Sequence, residues 1–161
     1  MLDLSGKILK RLEETEFFRQ ASCIALYNAI PGEVQTAAFL EKWFDKKQLL
    51  LPQVIGDDLH LLPYKGTENL RPGAFGILEP IDQETIIPET AIDLIIVPGV
   101  AFDRHLNRMG RGKGYYDRLL STLQTSKIGI CFDFQLQERI PIEPFDKKMD
   151  MIITEKEVIT G

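Results

Sequence analysis

The alternation of short apolar runs with helix-periodic segments predicts an α/β fold for this chain of 161 residues. Three observations carry the prediction. Residues 21–27, 48–55, 93–97, 127–132 and 151–154 read as strands, and they alternate with apolar spacing at residues 4–14, 34–44 and 115–123 that reads as helix. The run Asp-Leu-Ile-Ile-Val at 93–97 has the continuous apolar character of a strand buried in a parallel sheet. It ends at Pro98-Gly99, and open α/β sheets bind their ligands beyond the carboxyl ends of such strands.

Taken in order, residues 4–14 form an amphipathic helix and residues 21–27 the first strand, with Pro31-Gly32 as the turn after it. The next helix, 34–44, places apolar residues at 37, 40 and 44. Strand 48–55 follows. The interval 57–89 is different: residues 59–63 pair locally, whereas 65–72 and 79–90 are turn-rich and fold over one side of the cleft. Apolar periodicity resumes at Tyr115 and continues through Leu119, Leu120 and Leu123, and the last two strands close the chain. No repeat, low-complexity linker or break in composition divides it, so residues 1–161 are expected to form one domain.

Composition agrees. With 44% hydrophobic and 27% charged residues the chain is ordinary for a globular protein, and at this length it buries roughly 70% of the surface its unfolded chain exposes. No apolar run approaches membrane-spanning length and residues 1–14 lack a signal-peptide pattern, so the cytoplasm is the expected location. Cys23 and Cys131 lack metal-ligand spacing and sit in apolar strand-like runs, as reduced, packed thiols do. The net charge of −5 argues against general nucleic-acid binding while leaving room for a local positive pocket, for which Arg104, Arg108, Arg111, Lys113 and His105 are candidates. For His105 a hydrogen-bonding role within the loop is expected.

The stretch from Pro98 to Asp117 reads Pro-Gly-Val-Ala-Phe-Asp-Arg-His-Leu-Asn-Arg-Met-Gly-Arg-Gly-Lys-Gly-Tyr-Tyr-Asp. Gly110, Gly112 and Gly114 can adopt positive φ, so that successive N–H groups converge on an anion while Arg111 and Lys113 supply countercharge. The helix opening at Tyr115 adds its N-terminal dipole. The spacing is neither a Walker A loop nor a dinucleotide fingerprint. Glycines and arginines alone better suit a flexible, solvated turn; the buried strand just upstream shifts the reading to the anion site.

Residues 97–119 resemble the signature of the 5-formyltetrahydrofolate cyclo-ligases, also called methenyltetrahydrofolate synthetases. Residues 25–36 (Ala-Leu-Tyr-Asn-Ala-Ile-Pro-Gly-Glu-Val-Gln-Thr), Leu50-Leu51-Pro52, 75–80 (Phe-Gly-Ile-Leu-Glu-Pro), 132–136 and 146–154 are similar to the same family in the same order, so the resemblance covers nearly the whole chain. It implies a single-domain, three-layer Rossmann-like fold with a mostly parallel sheet. It also implies an ATP- and Mg²⁺-dependent ring closure of 5-formyltetrahydrofolate to 5,10-methenyltetrahydrofolate, with release of ADP and phosphate through a phosphorylated formyl group. Phosphoryl transfer of this kind depends on positioning and charge neutralisation, for which glycines, cations and carboxylates are suited.

By the same resemblance, Arg108, Met109, Gly110, Arg111, Gly112, Lys113, Gly114, Tyr115 and Tyr116 correspond to the nucleotide-binding loop, with Arg111 and Lys113 in the catalytic roles. Asp117 and Asp146 correspond to the Mg²⁺ ligands, a modest protein contribution that suits a cation which keeps waters and phosphate oxygens. Glu33 corresponds to the acid that accepts hydrogen bonds from the folate aminopyrimidine, and Asn28 lies near it, with Tyr115 and Tyr116 beside the pterin. Each has a plainer reading: Asp117 and Glu33 as acids at helix starts, Asp146 in a polar turn, the tyrosines as core packing. The expected partners are 5-formyltetrahydrofolate and ATP, with no nucleic acid or membrane, and the expected state is a monomer. The alternative reading is a noncatalytic folate- or nucleotide-binding protein of the same fold.

Two departures stand out. The family's first basic helix, with a Lys-x-x-x-Arg pattern, has no counterpart here, since residues 2–14 resemble its second helix; Lys7 and Arg11 do not take over those roles. Gln53 stands where a basic residue is common.

Overall fold

In the computed structural model, which describes residues 2–81, 87–144 and 146–161, the chain runs through a seven-stranded sheet with helices on both faces. The strands are β1 (Cys23–Ala25), β2 (Gln48–Ile55), β3 (Asp58–Pro63), β4 (Leu70–Pro72), β5 (Leu78–Pro80), β6 (Leu94–Val97), β7 (Ala101–Asp103), β8 (Arg108–Met109), β9 (Ser126–Ile130), β10 (Leu136–Gln137), β11 (Met151–Ile153) and β12 (Val158–Thr160). The α-helices are α1 (Leu2–Glu13), α2 (Glu16–Gln20), α3 (Ala37–Trp43) and α4 (Tyr115–Thr122). The large sheet has the order β12-β11-β9-β6-β1-β2-β3. Its five inner strands are parallel, and β12 and β3 join antiparallel at the two edges.

Alternation along the inner strands creates two cores. Ile24, Leu49, Leu51, Leu94, Ile96, Ile128 and Ile130 face Ile8 and Leu12 of α1, Phe18 of α2 and Phe39 and Leu40 of α3. Cys23, Ala25, Leu50, Ile95 and Val97 face the other way, toward Leu119, Leu120 and Leu123 at α4. β6 is buried along its whole length, as its unbroken apolar sequence predicts. The three-layer, mostly parallel architecture is therefore as expected. Both cysteines are free and buried; burial pushes the Cys23 thiol up to about 11, with Asp93 adding to the shift, and the Cys131 thiol to about 12.

Several elements differ from the sequence reading. The helix expected over 34–44 begins at Ala37, because Val34 and Thr36 are held elsewhere: the Tyr27 hydroxyl donates to the Val34 carbonyl at 3.0 Å, and Thr36 Oγ1 donates to the Tyr27 carbonyl at 2.8 Å. Its inner face is Phe39 and Leu40, while Ala37 is exposed. Residues 59–63 do pair locally, with β2. The turn-rich interval contains the short ribbon β4–β5, and residues 82–86 of it lie outside the described residues. α2, β7, β8, β10 and β12 are too short to register as periodicity. The start of α2 had a local signal in Thr15, whose hydroxyl accepts the Phe18 N–H at 3.2 Å.

Candidate active site at the switch point of the sheet

β1 continues to β2 on one side and β6 to β9 on the other, so the winding reverses between β1 and β6. Residues leaving the carboxyl ends of these two strands diverge there and leave a crevice. From β1 come Tyr27, Asn28 and the turn that carries Glu33; from β6 come Pro98 and Gly99, followed by the β7–β8 hairpin and the glycine-rich loop. Phe102 of β7 is fully buried and keys this hairpin onto the sheet. A Cβ at Gly99 would lie 2.9 Å from the Phe102 ring, and one at Gly129 of β9 would overlap it.

At the centre lies Arg108, whose side chain is only 7% exposed. Its Nε donates to the Pro98 carbonyl at 2.6 Å, its guanidinium sits 5.1 Å from the Tyr116 ring centroid, and Nη1 is 3.5 Å from Asp117 Oδ1. Burial pulls the Arg108 pKa down, while Tyr116, Asp117, Glu33 and Asp146 oppose that pull. Arginine remains charged in proteins, so the result is a permanent, poorly hydrated cation surrounded by acceptors. Burial likewise raises the Tyr116 phenol.

Glu33 approaches from the β1 side, with its side chain 11% exposed. Its Oε1 accepts the Ile30 N–H at 3.0 Å and its Oε2 is 3.7 Å from Arg111 Nη2. Burial raises its pKa, and the Ile30 N–H, Arg111 and Arg108 counter only part of that effect. Gln35 braces the turn by donating to the Ile30 and Glu33 carbonyls. Asn28 lies half-buried just past β1.

The loop itself follows expectation in part. Gly112 (φ 95°) and Gly114 (φ 74°) are left-handed, and Gly114 caps α4. Gly110 is a correction, since its φ is not positive. There the missing side chain matters differently: a Cβ would stand 3.1 Å from both terminal nitrogens of Arg108. Lys113 is exposed and lies 5.8 Å from the ring centroid of Phe75. Tyr115 packs edge-on to Phe75 and under Arg118, whereas Tyr116 turns inward. The tip of the β4–β5 ribbon thus reaches the loop, as the folded-over interval predicted. Met109 offers the loop a backbone anchor, its carbonyl accepting the Val100 N–H at 2.7 Å.

Asp117 opens α4, 38% exposed, and Asp146 lies in a loop whose Glu143 N–H donates to its Oδ2 at 2.7 Å. Both carboxylates act electrostatically on Arg108. Among the described residues no cluster of three or more His, Cys, Asp or Glu side chains has metal-site geometry. Two oxygen donors beside an anion loop suit a hard cation that takes its other ligands from phosphate and water, so the donor set fits Mg²⁺.

Arg104 and His105 do not join the pocket. Arg104 is paired with Glu157 at 2.8 Å and Glu138 at 3.5 Å, and His105 Nε2 lies 3.5 Å from Arg139. Sequence reasoning also missed Phe75, which has φ 60° and is flanked in the sequence by Gly73 and Gly76. Phe102 was missed as well, having no signal in a strand of three residues.

Comparisons with known proteins place the fold in a family. Residues 2–155 match the 5-formyltetrahydrofolate cyclo-ligase family. The chain is 34% identical to a probable 5-formyltetrahydrofolate cyclo-ligase of Schizosaccharomyces pombe, with 96% of this chain and 85% of that protein covered. The solved 5,10-methenyltetrahydrofolate synthetase of Aquifex aeolicus superposes with a TM-score of 0.88 at 40% identity, covering 98% of this chain and 81% of that one. For the Mycoplasma pneumoniae synthetase the TM-score is 0.73 at 31% identity, covering 95% and 85%. Matching residues, matching fold and a crevice at the switch point lead to one conclusion: the chain belongs to the 5-formyltetrahydrofolate cyclo-ligase family and is a ligase.

Proposed function

We propose that the crevice at the β1–β6 switch point carries out ATP- and Mg²⁺-dependent cyclisation of 5-formyltetrahydrofolate to 5,10-methenyltetrahydrofolate. The observation that carries the proposal is the buried Arg108 guanidinium, held by Pro98 and Tyr116 next to a left-handed glycine loop and the N-terminus of α4. A desolvated cation, backbone N–H groups and a helix dipole converging on one space suit the phosphates of a nucleotide.

Arg111 and Lys113 sit on the same loop, both exposed, and supply mobile charge for the transferring phosphoryl group. The formyl oxygen attacks the γ-phosphorus and ADP leaves. The resulting phosphorylated iminium carbon is then attacked by the neighbouring folate nitrogen, which gives up its proton to solvent, and phosphate departs with the former formyl oxygen. Asp117 and Asp146 would hold Mg²⁺, which when bound neutralises phosphate charge. Glu33 receives the aminopyrimidine edge, since a carboxylate raised by burial gains from hydrogen-bond donors that favour its charged form. Asn28 and Tyr116 border the same space.

The test is appearance of the methenyl chromophore when the chain is mixed with 5-formyltetrahydrofolate, ATP and Mg²⁺. Product that requires both ATP and Mg²⁺ is expected. Tight folate binding without ATP-dependent product would contradict the proposal and indicate a noncatalytic binding protein.

A further inference from the structure

The turn from Asp103 to Asn107 supplies none of the ligand-facing groups named above, yet it contains a carboxylate with no solvent exposure. Asp103 Oδ1 accepts the N–H groups of His105 at 2.8 Å and Asn107 at 3.1 Å. Its Oδ2 accepts Asn107 Nδ2 at 3.1 Å and the Ile140 N–H at 3.0 Å. Burial alone would raise its pKa, but these donors together hold it below the ordinary aspartate value. Four donors replace the water that a buried charge has lost.

Three of the donors belong to the turn itself and offset the cost of Leu106, a non-glycine residue at φ 70°. The fourth belongs to the segment that leads to Asp146. That segment is fastened to the same turn at its far end too, where the Met149 N–H donates to the Leu106 carbonyl at 2.8 Å. On its other side the turn passes directly into β8, where Arg108 pairs with Phe102. One turn therefore grips both ends of the Asp146 loop and launches the strand that bears Arg108.

We propose that Asp103 is a positioning residue of the cyclo-ligase reaction: its carboxylate fixes the Asp146 loop against the Arg108 strand, so that the cation-binding acid and the anion-binding guanidinium keep their spacing as nucleotide enters. This rests on the reading of Asp146 as a metal contact and of Arg108 as a nucleotide contact. Asp103 touches neither ligand and acts through backbone alone.

Substituting Asp103→Asn separates the two jobs. The remaining Oδ1 still accepts the backbone N–H groups of His105 and Asn107, but an NH₂ group now faces both the Ile140 N–H and Asn107 Nδ2, donor against donor, so Asn107→Ala serves as the control for the second loss. Ile140→Pro removes that N–H from the other side and leaves the carboxylate intact. Asn107→Ala removes one bond to the same carboxylate without touching the loop.

The experiment measures Mn²⁺ binding by electron paramagnetic resonance, in place of Mg²⁺, with a non-hydrolysable ATP analogue on the full chain, alongside KM for 5-formyltetrahydrofolate and thermal melting. In both Asp103→Asn and Ile140→Pro, Mn²⁺ affinity should fall about 10- to 100-fold, the usual effect of losing a partner that orients a metal ligand. KM for the folate should stay within about twofold, because its contacts are uniform and elsewhere. Asn107→Ala should lower the melting temperature and leave Mn²⁺ affinity unchanged. The proposal is overturned if Asn107→Ala weakens Mn²⁺ as much as Asp103→Asn, or if the two loop-tie variants bind Mn²⁺ normally while Asp146→Ala does not. Normal Mn²⁺ binding by Asp146→Ala would instead remove the metal reading of Asp146, and the positioning role with it.

Discussion

Glu33 shows how one side chain links stability to ligand binding. A carboxyl whose folded pKa is raised favours folding below its unfolded value, and that contribution is lost as pH rises through the folded value. Above its folded value the ionised, buried Glu33 therefore costs stability, and its 3.7 Å pair with the half-exposed Arg111 returns little. Glu33→Gln should raise the melting temperature of the free protein at pH 7, with the gain shrinking on acidification through the range in which Glu33 takes up its proton. The same variant should bind folate roughly ten- to a hundredfold more weakly, through loss of charged hydrogen bonds worth about 1.5–3 kcal/mol. A melting temperature that falls at pH 7 would contradict the burial argument. On the glycine-rich loop, Lys113→Ala should raise KM for ATP about tenfold, the equivalent of about 1.4 kcal/mol. Asp117→Ala should lower kcat about 10²–10³-fold while folate binding persists, as measured by protein fluorescence quenching. The loop itself was legible in the sequence because alternate glycines and cations are dense with chemical signal, whereas Glu33 and Asp117 were singled out by the family resemblance. The burial of Arg108 was not legible, because it depends on Tyr116, the second residue of α4, and on a carbonyl ten positions upstream.

The β7–β8 hairpin is the element on which the site depends most. It contributes few residues and little periodicity, but it is locked by Phe102 in a notch made by Gly99 and Gly129. Gly129→Ala would force the ring out of that notch, at about 1–3 kcal/mol for overpacking. A drop in melting temperature of roughly 2–10 °C should follow for a chain of this size, together with loss of turnover as Pro98 and Arg108 part. Unchanged turnover in a folded Gly129→Ala protein would show that the hairpin need not be fixed. The long elements were readable where local and global demands agreed: β2 spans 48–55 as expected, and α4 starts at Tyr115. Where they disagreed the tertiary contact won. α3 starts three residues late because Tyr27 claims the Val34 carbonyl and the Thr36 hydroxyl, neither of which any helical period encodes. Short pieces such as β7 and β10 are strands only as each other's partners, in a small three-stranded sheet with β8.

For the whole molecule, an acidic protein with a net charge of −5 concentrates Arg108, Arg111 and Lys113 around one crevice. Arg104 and the α3-end lysines are engaged in other contacts. Doubly wound sheets offer that position at the switch point, and helices on both faces keep it rigid. On the proposed function, the fold would supply a place where a nucleotide's γ-phosphoryl group and a formyl oxygen are brought together. The most direct measurement of that claim uses 5-formyltetrahydrofolate labelled with ¹⁸O in the formyl group, with mass analysis of the phosphate released during ATP-dependent ring closure. The account predicts that the label moves from the folate into inorganic phosphate, one oxygen per methenyl product formed. Label appearing in water, with unlabelled phosphate, would contradict it.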